Sequence, residues 1–423
     1  MNSLKPTRNY PLLLAGQFLS AFGDNFLLKA ILGPLTYELT AGTITEQQVN
    51  AQNALFSAVF FVPFILLAPL AGYLNDRMPK TQWLRRGNAL KMIGTAVGLT
   101  GVWLHAGNFH ASRLWQVVGY AIVGIGACVY SPAKYGILPE ILPAERLVKA
   151  NGTVEMLTLV AILGGLIGGA QLYDHVRSLP LCYAACFGFY LCAFILNFLM
   201  DRTPHNAAAS FRHSAGEFGT SLRRLITHAR LGRVLLGCGL FWFAGATLRN
   251  NMQTWGLQVF QQAGVANVTN EKLALLIVGL ILGIVVGSML AGQIHKIGDL
   301  SGSRRYGFLM AICILLLGLL GGKFGLLPVI AALVASGIFA GLLLVPLNAT
   351  LQHESDPGKL GKTIAIQNFV DYLSMLVGAG FLGGLTYFGF SPMQVFIALP
   401  VALALVSLAL RMPSDKSSAA PVT

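Results

Sequence analysis

Charge is scarce in this chain. Asp, Glu, Lys and Arg make up only 11% of its 423 residues, against about a quarter in an average soluble domain. So few charges do not cover a water-facing surface of this size, which excludes an ordinary cytosolic enzyme and a disordered chain. Cysteine is thin as well. Cys128, Cys182, Cys186, Cys192, Cys238 and Cys313 all sit in apolar runs and form no CxxC pair, so small buried side chains are expected rather than disulfides or zinc. The eight histidines show no HExxH spacing, and no metal or other cofactor is expected. His295, near the end of an apolar run, reads as a surface residue. There is no GxxxxGK[ST] phosphate loop, which argues against ATP use. No histidine has Asp five residues on, which argues against a glycerolipid acyltransferase. The first apolar run lacks a small-residue cleavage site and carries Asp24 and Lys29, so it is expected to be retained.

Apolar residues are abundant, at 55%, and the mean hydropathy is +0.66. A membrane-spanning helix needs about 20 apolar residues. Runs of that kind fall near 10–37, 53–75, 87–105, 114–138, 150–172, 180–200, 231–258, 273–295, 305–322, 327–351, 362–386 and 393–411. The expected fold is therefore an all-α membrane protein of 12 spans. The net charge of +13 suggests nucleic acid until its distribution is drawn. With the N-terminus in the cytoplasm, 20 of the 29 Lys and Arg lie on inner segments, and Arg113, Arg177, Lys272 and Lys323 alone lie outside. That asymmetry predicts both termini inside and explains the basic balance without nucleic acid.

The chain repeats at an offset near 220. Ala21-Phe22-Gly23-Asp24-Asn25 aligns with Ala246-Thr247-Leu248-Arg249-Asn250, Ala71-Gly72 with Ala291-Gly292, and Arg85-Arg86 with Arg304-Arg305. Ser131-Pro132 falls near Val345-Pro346, and Asn151 and Glu155 align with Gln367 and Asp371. The expected organisation is a six-helix half over 1–200, a basic cytoplasmic linker over 201–230, a second six-helix half over 231–412 and a disordered polar tail over 413–423. Two parallel six-helix repeats resemble the major facilitator superfamily. The stretch Gly72-Tyr73-Leu74-Asn75-Asp76-Arg77-Met78-Pro79-Lys80 is similar to that superfamily's signature between its second and third helices. There Gly72 permits close helix approach, and Asp76, Arg77 and Lys80 are expected to form a charge-linked latch at the inner face.

Three further stretches resemble the bacterial lysophospholipid transporter family within that superfamily. They are Gln17-Phe18-Leu19-Ser20-Ala21-Phe22-Gly23-Asp24-Asn25, Ser131-Pro132-Ala133-Lys134-Tyr135-Gly136-Ile137-Leu138-Pro139-Glu140, and Leu147-Val148-Lys149-Ala150-Asn151-Gly152 followed by Glu155. Weaker echoes are Asn88-Ala89-Leu90-Lys91, Gly245 to Arg249, and Val345 to Ala349 followed by Ile366-Gln367-Asn368. Lys29, Asn250-Asn251 and Asp371 depart from the expected pattern. The resemblance implies a non-enzymatic, monomeric flippase of the bacterial inner membrane. Its substrates are lysophospholipids, which it moves from the outer to the inner leaflet without ATP. The implied partner is an acyltransferase–acyl carrier synthetase that re-esterifies them. A proton-coupled transporter of a drug or metabolite, with Asp24 or Asp371 carrying the proton, is the alternative reading.

Ionisable residues inside spans are candidate functional groups, because burial is costly without a partner or water. At 1.5 Å per helical residue, Asp24 lies about 21 Å and Arg249 about 27 Å above the inner edge. Repeat-equivalent helices thus carry an acid and a base at similar height, and the pair is expected to gate the outer side or to lock two half-bundles. A lower layer is expected from Lys91 at about 8 Å, Glu155 at about 9 Å and Asp371 at about 14 Å, with Lys134 near the inner end of span four. Lys134 is read as a phosphate ligand or a snorkelling lysine. Asn25, Asn151, Glu155, Gln367 and Asp371 are read as headgroup contacts or as interhelical ties. Gly164-Gly165 and Gly168-Gly169 place small residues four apart on span five, which favours close packing over a moving seam. A headgroup sliding between helices five and eight, with its acyl chain left in lipid, is expected from substrate shape.

Overall fold

The computed structural model describes residues 8–105, 108–203, 216–265 and 270–411. The tail from Pro413, Arg212 within the linker and Asn267, the start of an Asn-x-Thr triplet, fall outside the described residues. Among the described residues the structure is helical, without strands. In order, α1 spans Asn9–Thr40, α2 Glu46–Leu66, α3 Ala68–Arg77, α4 Lys80–Leu104, α5 Phe109–Gly136, α6 Leu138–Ile141, α7 Leu147–Val176 and α8 Leu179–Phe198. After the linker come α9 Phe218–Thr227, α10 Leu231–Gln262, α11 Asn270–Ile294, α12 Ser303–Leu320, α13 Leu326–Glu354, α14 Leu360–Tyr387 and α15 Pro392–Ala409.

Local chemistry sets the helix ends. Thr45 and Gln48 form a reciprocal capping box at the start of α2, and Ser391 with Gln394 does the same for α15. Each satisfies N–H groups that the first helical turn leaves unpaired. The side chain of Asn108 accepts from the Ala111 amide to open α5. The run expected as one span over 53–75 is two helices bent by 60°. Pro69 lacks an N–H and its ring clashes with the preceding turn, so the helix restarts at Ala68. Nine of the described helices are long and apolar enough to cross a membrane, or ten with the bent pair as one. Helices α1 and α4 have spanning length but fall below that measure. They are the helices that bury Asp24 and Lys91.

The helices group into two compact units that do not follow the sequence halves. One holds residues 1–142, 157–218 and 357–368; the other holds 143–156, 219–356 and 369–423. The short exchanged segments, 143–156 and 357–368, are equivalent under the repeat. In the first unit α1, α4, α5 and α8 surround an apolar core that includes Phe26, Ile31, Phe56 and Tyr183. Phe189 meets Phe22 and Phe26 edge-on, at centroid distances of 4.9 and 5.3 Å. The small residues of α7 serve packing. A Cβ at Gly165 would lie 2.4 Å from the Phe22 carbonyl oxygen, and one at Gly169 would lie 2.3 Å from that of Phe26. In the second unit Trp255 stacks on Phe396 at 4.4 Å.

Two expectations change. Five cysteines are buried as expected, but Cys192 is exposed, because α8 turns that face outward. His295 is not a surface residue. Its side chain is 5% exposed and bonds Asp299 at 3.0 Å and the Tyr306 hydroxyl at 2.9 Å. It stands one residue past α11, where Tyr306 from α12 folds over it. Burial pushes the Asp299 carboxyl up. Hydrogen bonds from Ser301 and His295 more than offset that and hold it below the ordinary value of 3.8.

Candidate functional site

The first unit holds one buried charge pair on a polar stripe. Gln17, Ser20 and Asp24 follow at spacings of three and four, so they share a face of α1. All three are buried. Facing them on α4, Asn88 and Lys91 are spaced by three and are also buried. The Lys91 ammonium donates to Asp24 Oδ2 at 2.7 Å and to Ser20 Oγ at 2.8 Å. The Ser20 hydroxyl in turn donates to Asn88 Oδ1 at 2.8 Å. Tyr190, from α8, donates to Asp24 Oδ1 at 2.9 Å, and Tyr120, from α5, donates to the Asp24 backbone oxygen at 3.1 Å. The ammonium also lies 5.3 Å from the Tyr130 ring centre and 5.6 Å from that of Tyr190. Glycine makes the room: a Cβ at Gly126 would stand 2.8 Å from Lys91 Cγ.

A buried ion pair is tolerable only when its remaining polar valences are satisfied. Here both carboxylate oxygens have donors and two ammonium protons have oxygen acceptors. The Asn88 and Gln17 amide nitrogens, by contrast, have no hydrogen-bond partner among the described residues, although Gln17 Oε1 accepts from Thr158 at 3.0 Å. The stripe therefore joins a strongly held charge pair to open donors. Lys134, half-buried on α5, lies over the Tyr135 ring at 4.3 Å, and its charge also acts on Asp24. Sequence reasoning places Lys91 in a lower layer than Asp24. The structure corrects this. Helix α4 begins at Lys80, six residues before Arg86, so Lys91 stands about 16 Å along it, and its long side chain reaches the level of Asp24.

Asn25 turns its amide back to the Ala21 oxygen of its own helix, at 2.9 Å. In the second unit Asn151 and Gln352 exchange amide hydrogen bonds of 2.9 and 2.8 Å, and Asn151 also donates to the Leu147 oxygen at 3.0 Å. Both Asn151 N–H groups and its oxygen are thereby engaged, so in this arrangement the residue ties α7 to α13. Glu155 and Asp371, 4% and 7% exposed, belong to the same unit, and Glu155 is a like charge acting on Asp371. Asp371 Oδ1 has no hydrogen-bond partner among the described residues. The repeat thus brings its two equivalent acids into one unit. Arg249 and Asn250 are exposed on α10, while the buried Asn251 amide donates to the Pro392 oxygen at 2.8 Å. Gln367, in the first unit, is buried.

The end of α3 and the loop after it hold the residues expected of the latch. Asp76 accepts from the backbone amides of Gly361 and Lys362, at 2.7 and 3.1 Å. Its carboxylate caps α14 in trans, and the charges of Lys80 and Lys362 act on it as well. A Cβ at Gly72 would lie 2.9 Å from Lys362 Cα, so Gly72 and Asp76 hold one helix end. Lys80 pairs with Glu140, while its backbone amide donates to Thr203 Oγ1 at 3.1 Å. Burial pushes the Glu140 carboxyl up, against the opposing pull of Lys80. Lys362 reaches Glu217 at 3.3 Å, and Arg77 is exposed. Sequence reasoning missed Ser20, Asn88, Tyr120, Tyr130 and Tyr190 as members of the charge site. The tyrosines lie in apolar runs and read as core. The available signals were the three- and four-residue spacing of Gln17, Ser20 and Asp24 and the three-residue spacing of Asn88 and Lys91.

Residues 13–296 match the family model of the Major Facilitator Superfamily. The lysophospholipid transporter LplT of Photorhabdus laumondii is 31% identical over 379 residues, covering 88% of this chain and 87% of that protein. The LplT of Salmonella heidelberg is 34% identical over 374 residues, covering 87% and 86%. That of Klebsiella pneumoniae is 31% identical over 405 residues, covering 94% of each. Among solved structures, the human organic anion transporter MFSD10 has a TM-score of 0.78 at 17% identity, covering 96% of this chain and 100% of its own. The E. coli fucose:proton symporter FucP has a TM-score of 0.71 at 15% identity, covering 95% and 97%. At such identities these structures establish the fold alone. The buried charge stripe, the capped α14 and the near full-length similarity lead to one conclusion: this chain belongs to the lysophospholipid transporter family of the major facilitator superfamily.

Proposed function

We propose that this chain carries lysophospholipids, such as lysophosphatidylethanolamine, from the outer to the inner leaflet of the bacterial inner membrane. The observation that carries the reading is the buried Asp24–Lys91 pair, set in a polar stripe of an otherwise apolar chain. Intramembrane charges are retained where they serve a pathway. A zwitterionic headgroup needs a carboxylate for its ammonium and a cation for its phosphate. Asp24 supplies the first; Arg249 and Lys134 are proposed for the second, with Asp24 and Arg249 gating the outer side. Gln367, Asp371, Glu155 and Asn25 are proposed to line the headgroup route. Gly72, Asp76, Arg77 and Lys80 are proposed to govern the inner side. The chain acts as a monomer and performs transport rather than catalysis. The product is consumed by an acyltransferase–acyl carrier synthetase at the inner face. Labelled lysophosphatidylethanolamine, offered to proteoliposomes containing only this chain, is expected to cross while the diacyl lipid stays. Equal retention of both refutes the reading.

The two buried acids Glu155 and Asp371, the second with an Oδ1 that has no hydrogen-bond partner among the described residues, support a second reading as a proton-coupled transporter of a drug or metabolite. Two carboxylates in one low-dielectric site favour sharing a proton. Abolition of transport by an uncoupler would favour it, and indifference would remove it.

A further inference from the structure

Two arginine pairs near the basic ends of the spans have no acid to meet. Lys80 pairs with Glu140, Arg230 with Glu354 and Lys362 with Glu217. Arg85-Arg86 and Arg304-Arg305, which the repeat aligns, form no ion pair among the described residues. With 29 Lys and Arg against 16 Asp and Glu, the chain cannot supply a carboxylate to every cation. What these arginines touch instead is aromatic. The Arg85 guanidinium lies 5.3 Å from the Phe198 ring centre, that of Arg86 5.1 Å from Trp83 and that of Arg304 5.7 Å from Phe308. Arg86 also donates to the Met78 sulfur at 3.0 Å, a weak acceptor. A ring face steadies a guanidinium and leaves most of its N–H fork for a second partner.

Each pair also heads an outward stripe. On α12, Arg305 is followed by Leu309, Ile312, Leu316 and Leu319, all exposed. Spacings of four and three put them on one face of the helix. On α4, Arg86 is followed in the same register by Leu90, Ile93, Val97 and Thr100, which are half-buried or exposed. The opposite faces are packed: Asn88 and Lys91 are buried on α4, and Met310 and Ile314 on α12. Either stripe extends about 21 Å from its arginine, enough to cover the roughly 15 Å of hydrocarbon in one leaflet.

We propose that each arginine pair holds the phosphate of an anionic diacyl phospholipid of the inner leaflet, with an acyl chain lying along the stripe. Arginine forks match phosphate oxygens two at a time. A phosphatidylglycerol headgroup brings that phosphate without a cation of its own. A phosphatidylethanolamine headgroup sets an ammonium beside two guanidinium groups that no carboxylate neutralises, and like charges so placed repel. On α4 the stripe faces away from Lys91 and its partner Asp24, so this lipid is a resident of the lipid-facing surface and not cargo. The inference goes beyond the transport reading. It requires only that α4 and α12 begin at the cytoplasmic face, as the placement of Lys and Arg predicts.

Native mass spectrometry of the full chain tests this. The purified protein in detergent is titrated with phosphatidylglycerol, with phosphatidylethanolamine of the same acyl chains, or with soluble glycerol phosphate. The wild type is expected to retain two phosphatidylglycerol molecules, to hold phosphatidylethanolamine more weakly and to ignore glycerol phosphate. Arg85→Gln/Arg86→Gln and Arg304→Gln/Arg305→Gln should each weaken one site, raising its Kd at least about tenfold, the size of one charge-assisted hydrogen bond. The quadruple variant should lose both. The matching Arg→Lys pairs keep the charge without the fork, and their Kd should fall between wild type and Gln. Wild-type retention of phosphatidylglycerol in the quadruple variant overturns the proposal. So does equal retention of the two lipids, and so does glycerol phosphate binding as tightly as the lipid, which marks a site for a free anion. Should the quadruple variant fail to fold, the two double variants decide. No transport is read in this assay, so the inference fails or stands separately from the proposed function.

Discussion

Removing the carboxylate of Asp76 frees the first turn of α14. In the folded chain that carboxylate accepts the amides of Gly361 and Lys362, at 2.7 and 3.1 Å, and both amides belong to a helix start that has no intrahelical partners for them. Losing an N-cap costs about 0.5–2 kcal/mol, and a negative charge at the positive end of a helix adds about 0.3–1 kcal/mol. Asp76→Ala loses both acceptors and the charge, and we expect a loss of about 2 kcal/mol. Asp76→Asn keeps one oxygen that can accept, and its loss should be about half of that. Gly72→Val acts on the same helix end by another route, because its Cβ would sit 2.9 Å from the Lys362 backbone. Two changes that act on one contact do not add, so Gly72→Val/Asp76→Ala should be less harmful than the sum of its parts. Equilibrium unfolding in mild detergent compares the four variants with the wild type. Wild-type stability in Asp76→Ala, or Asn ranking below Ala, would refute the argument that Asp76 stabilises the chain by capping α14.

The Asn151–Gln352 amide pair predicts a coupled cycle. Each single alanine substitution leaves a buried amide unpartnered, at about 1–3 kcal/mol, while the double variant should cost less than the two together; strict additivity would show that the pair does not act as a unit. Asp299 predicts a pH dependence. Its folded carboxyl titrates below the ordinary value, so its contribution is present above that value and fades as pH falls through the lower folded one. Wild type should therefore exceed Asp299→Asn in unfolding midpoint at pH 7, with the gap closing below about pH 4; a gap that widens in acid would contradict the assignment.

The helices were legible because their signals are local. Apolar length, turn residues and basic loops mark α5, α7, α8 and α10 to α15 directly. Asp24 stood out for a similar reason: a carboxylate in the middle of an apolar run is conspicuous whatever surrounds it. Even the latch region was visible from Gly72 and Asp76, although the groups they hold lie far along the chain.

What the sequence by itself determined, then, was which segments leave water and which few charges go with them, since both follow from the cost of transferring each residue out of water. Only the tertiary structure decided who meets whom. It matched Lys91 to Asp24, enclosed Lys91 with tyrosines that otherwise read as core, buried His295 under Tyr306, and exchanged the equivalent segments 143–156 and 357–368 between two units. Those outcomes depend on where a helix begins, how closely glycines let two helices approach and how far a side chain reaches. These are distances in space, and linear spacing along a chain does not encode them one residue at a time.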